Sequence, residues 1–224
     1  MKTFRELQEG VYDPNIFKAV FLAGGPGSGK SFVVRKTTGG SGLKIVNSDD
    51  IYEYMLDKEG LDAGNPDDIF SAQGQEIRGR AKAITKNKQS RFIDERLGMV
   101  IDGTGKDFEK IAKQAKALQQ LGYETYMIFV NTSLDTAQER NMKRKRKLQP
   151  KEVEKMWNAV QNNIGKFQRL FGSSNFIIVD NNDPDEDVFS KIWKRVMKLT
   201  RKKVNNPIAK QWIENELEKR DRTR

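Results

Sequence analysis

Between positions 24 and 31 the chain reads Gly24-Gly25-Pro26-Gly27-Ser28-Gly29-Lys30-Ser31, matching G-x-x-x-x-G-K-[ST] at every fixed position. An apolar run, Ala19-Val20-Phe21-Leu22-Ala23, leads into it, and Ser31-Phe32-Val33-Val34-Arg35-Lys36 can continue as a helix. Strand, glycine loop and helix in that order predict a phosphate site at the carboxyl end of a buried strand. Glycines let backbone N–H groups curl around a polyphosphate, and the helix N-terminus adds the positive end of its dipole. Lys30 is placed to reach the β- and γ-phosphates, and the Ser31 hydroxyl to ligate magnesium. A chance glycine turn is the alternative, but the two flanks argue against it. The octet predicts binding of a nucleoside triphosphate.

Composition narrows the chemistry. The 224 residues include no cysteine and no histidine, so a thiolate zinc site and an imidazole base are both ruled out. Any proton acceptor is then a carboxylate or a lysine. The net charge of +10 suits phosphate-rich partners, nucleotides or nucleic acid. Seven bases and no acid fall between Arg140 and Lys151, and 12 bases against four acids between Lys191 and the end. Such runs are commonly solvated faces, the preferred reading for the tail but not for the segment at Arg140. The first residues lack the apolar stretch of a signal peptide, and no run approaches membrane-spanning length. A soluble, cytoplasmic protein with no membrane partner is expected.

Five short apolar runs, 19–23, 43–47, 99–102, 124–131 and 175–180, read as strands buried on both faces. Helical patterns alternate with them: 31–37, then 107–121 ending at Gly122, then a basic helix over 135–147. Val153, Met156, Trp157, Val160, Ile164, Phe167 and Phe171 recur at helical spacing as core. A last core helix, 184–199, is marked by Asp183 as N-cap, Pro184 in its first turn and Glu186 reaching back. The predicted fold is α/β: a three-layer, wound, parallel five-stranded sheet with a helical C-terminal extension. Residues 1–17 form an N-terminal extension, 18–203 the nucleotide-binding domain and 204–224 a helical tail beyond the Asn205-Asn206-Pro207 break. Within the domain, about 65–97 reads as a basic helical insertion, with Arg78 a candidate substrate contact.

The remaining candidates lie at strand ends. Asp49, after the second strand, can accept a proton from an incoming hydroxyl. Either Asp49 or Asp50 can instead cap the helix that begins near Ile51. Asp102 ends the third strand, where an acid can hold magnesium through water or orient substrate, with Thr104 and Lys106 just beyond. Arg140 and Arg144, four apart, would share one helix face and clamp phosphates. Asn181, after the fifth strand, falls where such folds meet the adenine edge. The nucleotide set is thus Gly25, Pro26, Gly27, Ser28, Gly29, Lys30, Ser31, Phe32, Arg140 and Asn181.

With these residues in place, the chain resembles the zeta-toxin-like and polynucleotide-kinase-like group of P-loop kinases, and kinase-like proteins of large tailed bacteriophages. Asn47-Ser48-Asp49-Asp50 is similar to the N-x-D-D segment whose first Asp is the general base in 5′-hydroxyl polynucleotide kinases. Arg140-Asn141-Met142-Lys143-Arg144 is similar to their R-N-x-x-R lid segment. Asp102, Thr104 and Lys106 occupy the positions of the E-G-T-x-R segment with which zeta toxins grip a nucleotide-sugar acceptor. Tyr52 stands where polynucleotide kinases usually carry Arg. The resemblance implies an ATP- (or GTP-) and Mg²⁺-dependent kinase acting on a hydroxyl of a nucleotide-like small molecule, in the host cytoplasm if phage-encoded. A hydroxyl on DNA or RNA is a second acceptor class, and a non-kinase ATP-binding switch a third reading.

Overall fold

The computed structural model describes residues 10–144, 147–183 and 185–222. Lys145, Arg146 and Pro184, which figured in the sequence reading, lie outside the described residues. Five strands are present among those described: β1 (Lys18–Ala23), β2 (Lys44–Val46), β3 (Met99–Ile101), β4 (Glu124–Asn131) and β5 (Phe176–Asp180). All pair in parallel, in the order β2-β3-β1-β4-β5. Each of the five predicted runs is therefore a strand, within one or two residues at its ends.

Alternation along β1 divides the core into two layers. Ala19, Phe21 and Ala23 face one side, where Ile111, Ala115, Leu118, Val160 and Phe167 pack. Val20 and Leu22 face the other, against Val33, Val34, Phe189, Ile192 and Val196. The first side is covered by α5 (Phe108–Gln120), α7 (Pro150–Gln161) and α8 (Ile164–Phe171). The second is covered by α1 (Lys30–Thr38) and α9 (Glu186–Thr200). Helices on both faces of a parallel sheet make the three-layer α/β fold expected.

The remaining helices are α2 (Ser48–Lys58), α3 (Pro66–Phe70), α4 (Ala72–Asp94), α6 (Leu134–Met142) and α10 (Pro207–Arg222). The 65–97 segment is one short and one long helix. Ile77 and Ala81 of α4 meet Tyr52 and Leu56 of α2 in a separate small core. The tail does not hang free: Ala209 is fully buried, and Trp212 stands edge-on to Phe17 at 5.5 Å. No helix of the described residues is long and apolar enough to cross a membrane.

Three boundaries depart from the sequence reading. The basic helix stops at Met142, not 147, because the buried Asn141 side chain captures Leu148. Asn141 Nδ2 donates to Leu148 O at 2.8 Å, and Leu148 N donates to Asn141 Oδ1 at 3.0 Å, a side-chain imitation of a backbone pair that turns the chain back. Arg140 is therefore helical and Arg144 lies beyond the helix, so the two do not share a helix face. The 153–171 pattern is split between α7 and α8, with Asn162 and Asn163 at the break. Finally, α9 is capped by Asp185, whose carboxylate accepts from Val188 N at 2.9 Å, rather than by Asp183. Glu186 pairs with Lys36 at 2.8 Å instead of reaching back.

Candidate nucleotide and acceptor site

The glycine loop leaves β1 where the strand order reverses, the place at which wound sheets bind ligands. Its glycines are required by crowding. A Cβ on Gly27, which has φ +73°, would lie 2.2 Å from Ala137 O of α6. A Cβ on Gly29, at φ +77°, would lie 2.5 Å from Asn181 Nδ2. Gly24 N donates to Thr104 O at 3.0 Å, tying the loop to the turn after β3. Helix α1 begins at Lys30 with Gly29 as its cap residue and no side-chain cap bond. The first-turn N–H groups are thus left for oxygen ligands. Pro26 is buried, Ser31 is exposed at the helix start, and Lys30 Nζ lies over the loop, donating to Gly24 O at 2.8 Å. An uncapped N-terminus, a lysine above it and a hydroxyl beside it fit a triphosphate with magnesium. Ser31 and Asp102 are the residues that would hold the metal. The described residues contain no group of three or more Asp or Glu arranged to hold a metal ion.

Asn181 is 3% exposed and sits behind the loop. Its Nδ2 donates to Ser28 O at 2.7 Å, and its N donates to Asn131 O at 2.9 Å. It buttresses the cradle from the end of β5. The neighbouring Asn182 O accepts from Arg140 Nη2 at 2.9 Å. Arg140 Nη1 is buried without a hydrogen-bond partner and lies 3.7 Å from the Cβ position of Gly29. Half of this guanidinium is anchored and half faces the cradle, an arrangement suited to a phosphate oxygen. Phe32 is exposed on α1, edge-on to Phe189 at 5.3 Å, with Lys36 Nζ above its ring.

Opposite the loop, α2 opens with Asn47 as its cap, its side chain accepting from Asp49 N at 2.8 Å. Neither Asp49 nor Asp50 serves as the cap. Asp50 Oδ1 accepts from Asn47 Nδ2 at 3.1 Å, whereas Asp49 remains exposed and acts on the site electrostatically. Burial lowers the pKa of Lys30; the charges of Asp102 and Asp49 counter this, and Arg144 adds to it. Burial likewise raises the pKa of Asp102. Lys30 works against that shift, Asp49 and Asp50 reinforce it, and the Gly103 N–H bond lowers it again. Lys30, Asp49, Asp102 and Arg144 therefore share one electrostatic site, although α1, α2, β3 and the chain after α6 supply them.

Asp102, Thr104 and Lys106 line a cavity of about 300 Å³ between the β3–α5 turn, α4 and α5. Buried Asn163 fixes that turn by donating from Nδ2 to Gly105 O at 3.0 Å and Lys106 O at 3.1 Å. Arg78 does not line the cavity; its guanidinium lies 4.9 Å from the Tyr52 ring centroid. Ser48, Thr85, Gln89, Lys110 and Gln114 do line it, and sequence reasoning missed them. The available signal was spacing, since Thr85/Gln89 and Lys110/Gln114 are each four apart on a helix face.

A loop of this sequence between strand and helix, on a sheet ordered 2-3-1-4-5, defines a P-loop nucleotide-binding domain of kinase-type architecture. A protein-family model for an AAA domain matches residues 20–170, and the chain belongs to that family. Among solved structures, AvrRxo1-ORF1:ORF2 with ATP is 14% identical with a TM-score of 0.54, the match covering 72% of this chain and 53% of that one. A candidate kinase of Chloroflexus aurantiacus J-10-fl is 11% identical with a TM-score of 0.50, covering 80% and 97%. A gluconokinase of Sinorhizobium meliloti 1021 is 14% identical with a TM-score of 0.49, covering 91% and 98%. At these identities the likeness is one of fold. No protein of curated function matches this chain in sequence.

Proposed function

We propose that the protein is an ATP- (or GTP-) and Mg²⁺-dependent kinase that transfers the γ-phosphate to a hydroxyl of a nucleotide-like small molecule, as the zeta-toxin-like resemblance implies. The observation that carries this reading is the cavity beside the cradle, with Asp102 in its wall and the charge of Asp49 felt at both Asp102 and Lys30. A hydrolase or switch needs no second chamber there. The ATP complex of AvrRxo1-ORF1:ORF2, a protein of similar fold, supports the choice of nucleotide. The reaction takes place in the cytoplasm.

The acceptor oxygen attacks the γ-phosphorus as the bond to the bridging oxygen of the leaving diphosphate breaks, and the hydroxyl proton passes to Asp49. Asn47 leaves Asp49 free for this by capping α2. Lys30, Arg140 and Arg144 offset the charge on the transferring group, and Thr104 and Lys106 contact the acceptor. Magnesium, when bound at Ser31 and Asp102, supplies further neutralisation of the phosphate oxygens. Incubating pure protein with labelled ATP and a panel of hydroxyl acceptors should give a labelled acceptor. Release of label as inorganic phosphate alone, across the whole panel, would overturn the reading.

A second reading places the hydroxyl on DNA or RNA. It is favoured by the outer side of α4, where Arg80, Lys82, Lys86 and Arg91 are exposed and make no ion pair among the described residues. Under it, nucleic-acid affinity falls steeply with salt, by about 0.7 to 0.9 log unit per decade for each phosphate neutralised. A flat response removes it.

A further inference from the structure

The cavity opposite the cradle is chemically lopsided, and this bears on the acceptor if the kinase reading above holds. Asp102 belongs to its strand-end wall, with Oδ1 buried and without a hydrogen-bond partner. On the α5 side, Lys106 and Lys110 line it, and neither ammonium group makes an ion pair or hydrogen bond among the described residues. The acid beside them, Asp107, is already committed to capping α5, its Oδ1 accepting from Lys110 N at 3.0 Å. From α4, Gln89 lines the cavity, and its Nε2 is buried with no acceptor. Two ammonium groups without an anionic partner and one amide donor without an acceptor thus stand across the cavity from the Asp102 carboxylate. Gln89 Nε2 is the one buried donor among them, and its want of an acceptor is costly; the two ammonium groups are exposed and carry unpaired positive charge, so the fitting occupant supplies oxygens bearing negative charge.

We infer that the acceptor is a compact hydroxylated anion, whose anionic group is held by Lys106 and Lys110 while its hydroxyl is presented at the Asp102 end. Gln89 donates to an oxygen of the same molecule. The volume of about 300 Å³ lies at the small end of ligand pockets and matches one monomeric molecule rather than a strand. A phosphomonoester and a carboxylate share the required chemistry. Two ammonium groups act as point charges and, unlike a guanidinium fork, impose no bidentate geometry.

The test has a binding arm and a transfer arm. The full chain is saturated with magnesium and a non-hydrolysable ATP analogue, so that the cradle is filled, and then titrated calorimetrically with inorganic phosphate. Saturable 1:1 binding is expected, weakened about tenfold or more when Lys106→Ala and Lys110→Ala are combined. The thermal midpoint of that variant reports whether its fold survives, and Lys110→Arg, which keeps the charge, should retain binding. Absence of phosphate binding, or binding indifferent to the double substitution in a folded variant, overturns the inference. In the transfer arm, matched pairs are offered with ATP: nucleosides against nucleoside monophosphates, and polyols against the corresponding hydroxy-acids. The anionic member should be preferred, with the better pair identifying phosphate or carboxylate, and the preference should collapse in the double variant. Equal use of the neutral members, or preference for an oligonucleotide over its monomer, contradicts it. If no acceptor is labelled at all, the kinase reading fails, while the phosphate titration still decides the anion subsite.

Discussion

Lys30 carries a conflict that can be measured. Burial lowers its pKa against the pull of Asp102 and Asp49, so its charge costs the ligand-free protein stability that bound phosphate repays. Lys30→Met should leave the ligand-free protein at least as stable as the wild type, yet abolish stabilisation by MgATP. That stabilisation is about 2.7 kcal/mol at a hundredfold excess over Kd. The pH dependence follows the same sign. With the folded pKa below the ordinary 10.5, the unfolded chain binds the Lys30 proton more tightly. The wild type therefore gains stability as pH rises from the lowered value towards 10.5. The difference between Lys30→Met and wild type in urea unfolding should narrow over that window, and a difference constant with pH would dismiss the burial argument. At Asp49, substitution by Ala should lower kcat by about 10² to 10⁴, whereas Asp50→Ala, which loses the contact from Asn47 and a charge near Asp102 but no proton acceptor, should act far less. The places of Lys30 and Ser31 at the start of α1 were legible because a contiguous motif encodes them. Those of Asn163 and Asn181 were not, since each depends on which distant backbone its amide meets, nor was that of Gln89, which the fold alone brings to the cavity. An asparagine that buttresses a loop 153 positions away leaves no local trace.

At the scale of elements, the site depends on close approaches between helices and turns. Gly27 lies against the α6 backbone, so Gly27→Ala must displace either the loop or α6. A loss of about 1 to 3 kcal/mol is expected from the overpacking, with weakened nucleotide binding; a variant of wild-type stability and affinity would show that this contact is not tight. Asn163, between α7 and α8, holds the β3–α5 turn through its two hydrogen bonds to the turn's carbonyls. Asn163→Ala should raise the acceptor KM more than the ATP KM, and equal changes in both would contradict its role as a positioning residue. Strands and amphipathic helices were readable from apolar periodicity, which burial enforces directly. The premature end of α6 was not, because the basic run 143–147 has good helix propensity and only the Asn141–Leu148 pairing overrides it. The pairing shows why a charge run made a poor guide to helix length.

Across the whole molecule, the sheet sets one end of the strands for chemistry and the other for support. At the opposite end from the cradle, Lys18 and Glu124 pair at 2.5 Å, with Tyr126 OH donating to Glu124 at 2.6 Å. There too α10 closes over Phe17, Trp212 taking the Arg96 guanidinium on its face at 5.6 Å. Trp212→Ala should cost about 2 kcal/mol of stability and leave turnover of the folded fraction unchanged; altered turnover would mean the tail communicates with the site. The tail's packing was opaque in a segment read mainly for its charge. The α/β class and the loop position were plain from strand–helix alternation and one motif. The claim on which the account turns is that the loop at 24–31 holds a triphosphate with its γ-phosphate facing the Asp102 cavity. The most direct measurement is a crystal structure of the complex with magnesium and a non-hydrolysable ATP analogue. The account predicts phosphate oxygens on the first N–H groups of α1 and on Lys30 Nζ, with the γ-phosphorus opening towards Asp49 and Asp102. A triphosphate bound elsewhere, or one whose γ-phosphate points away from that cavity, would contradict it.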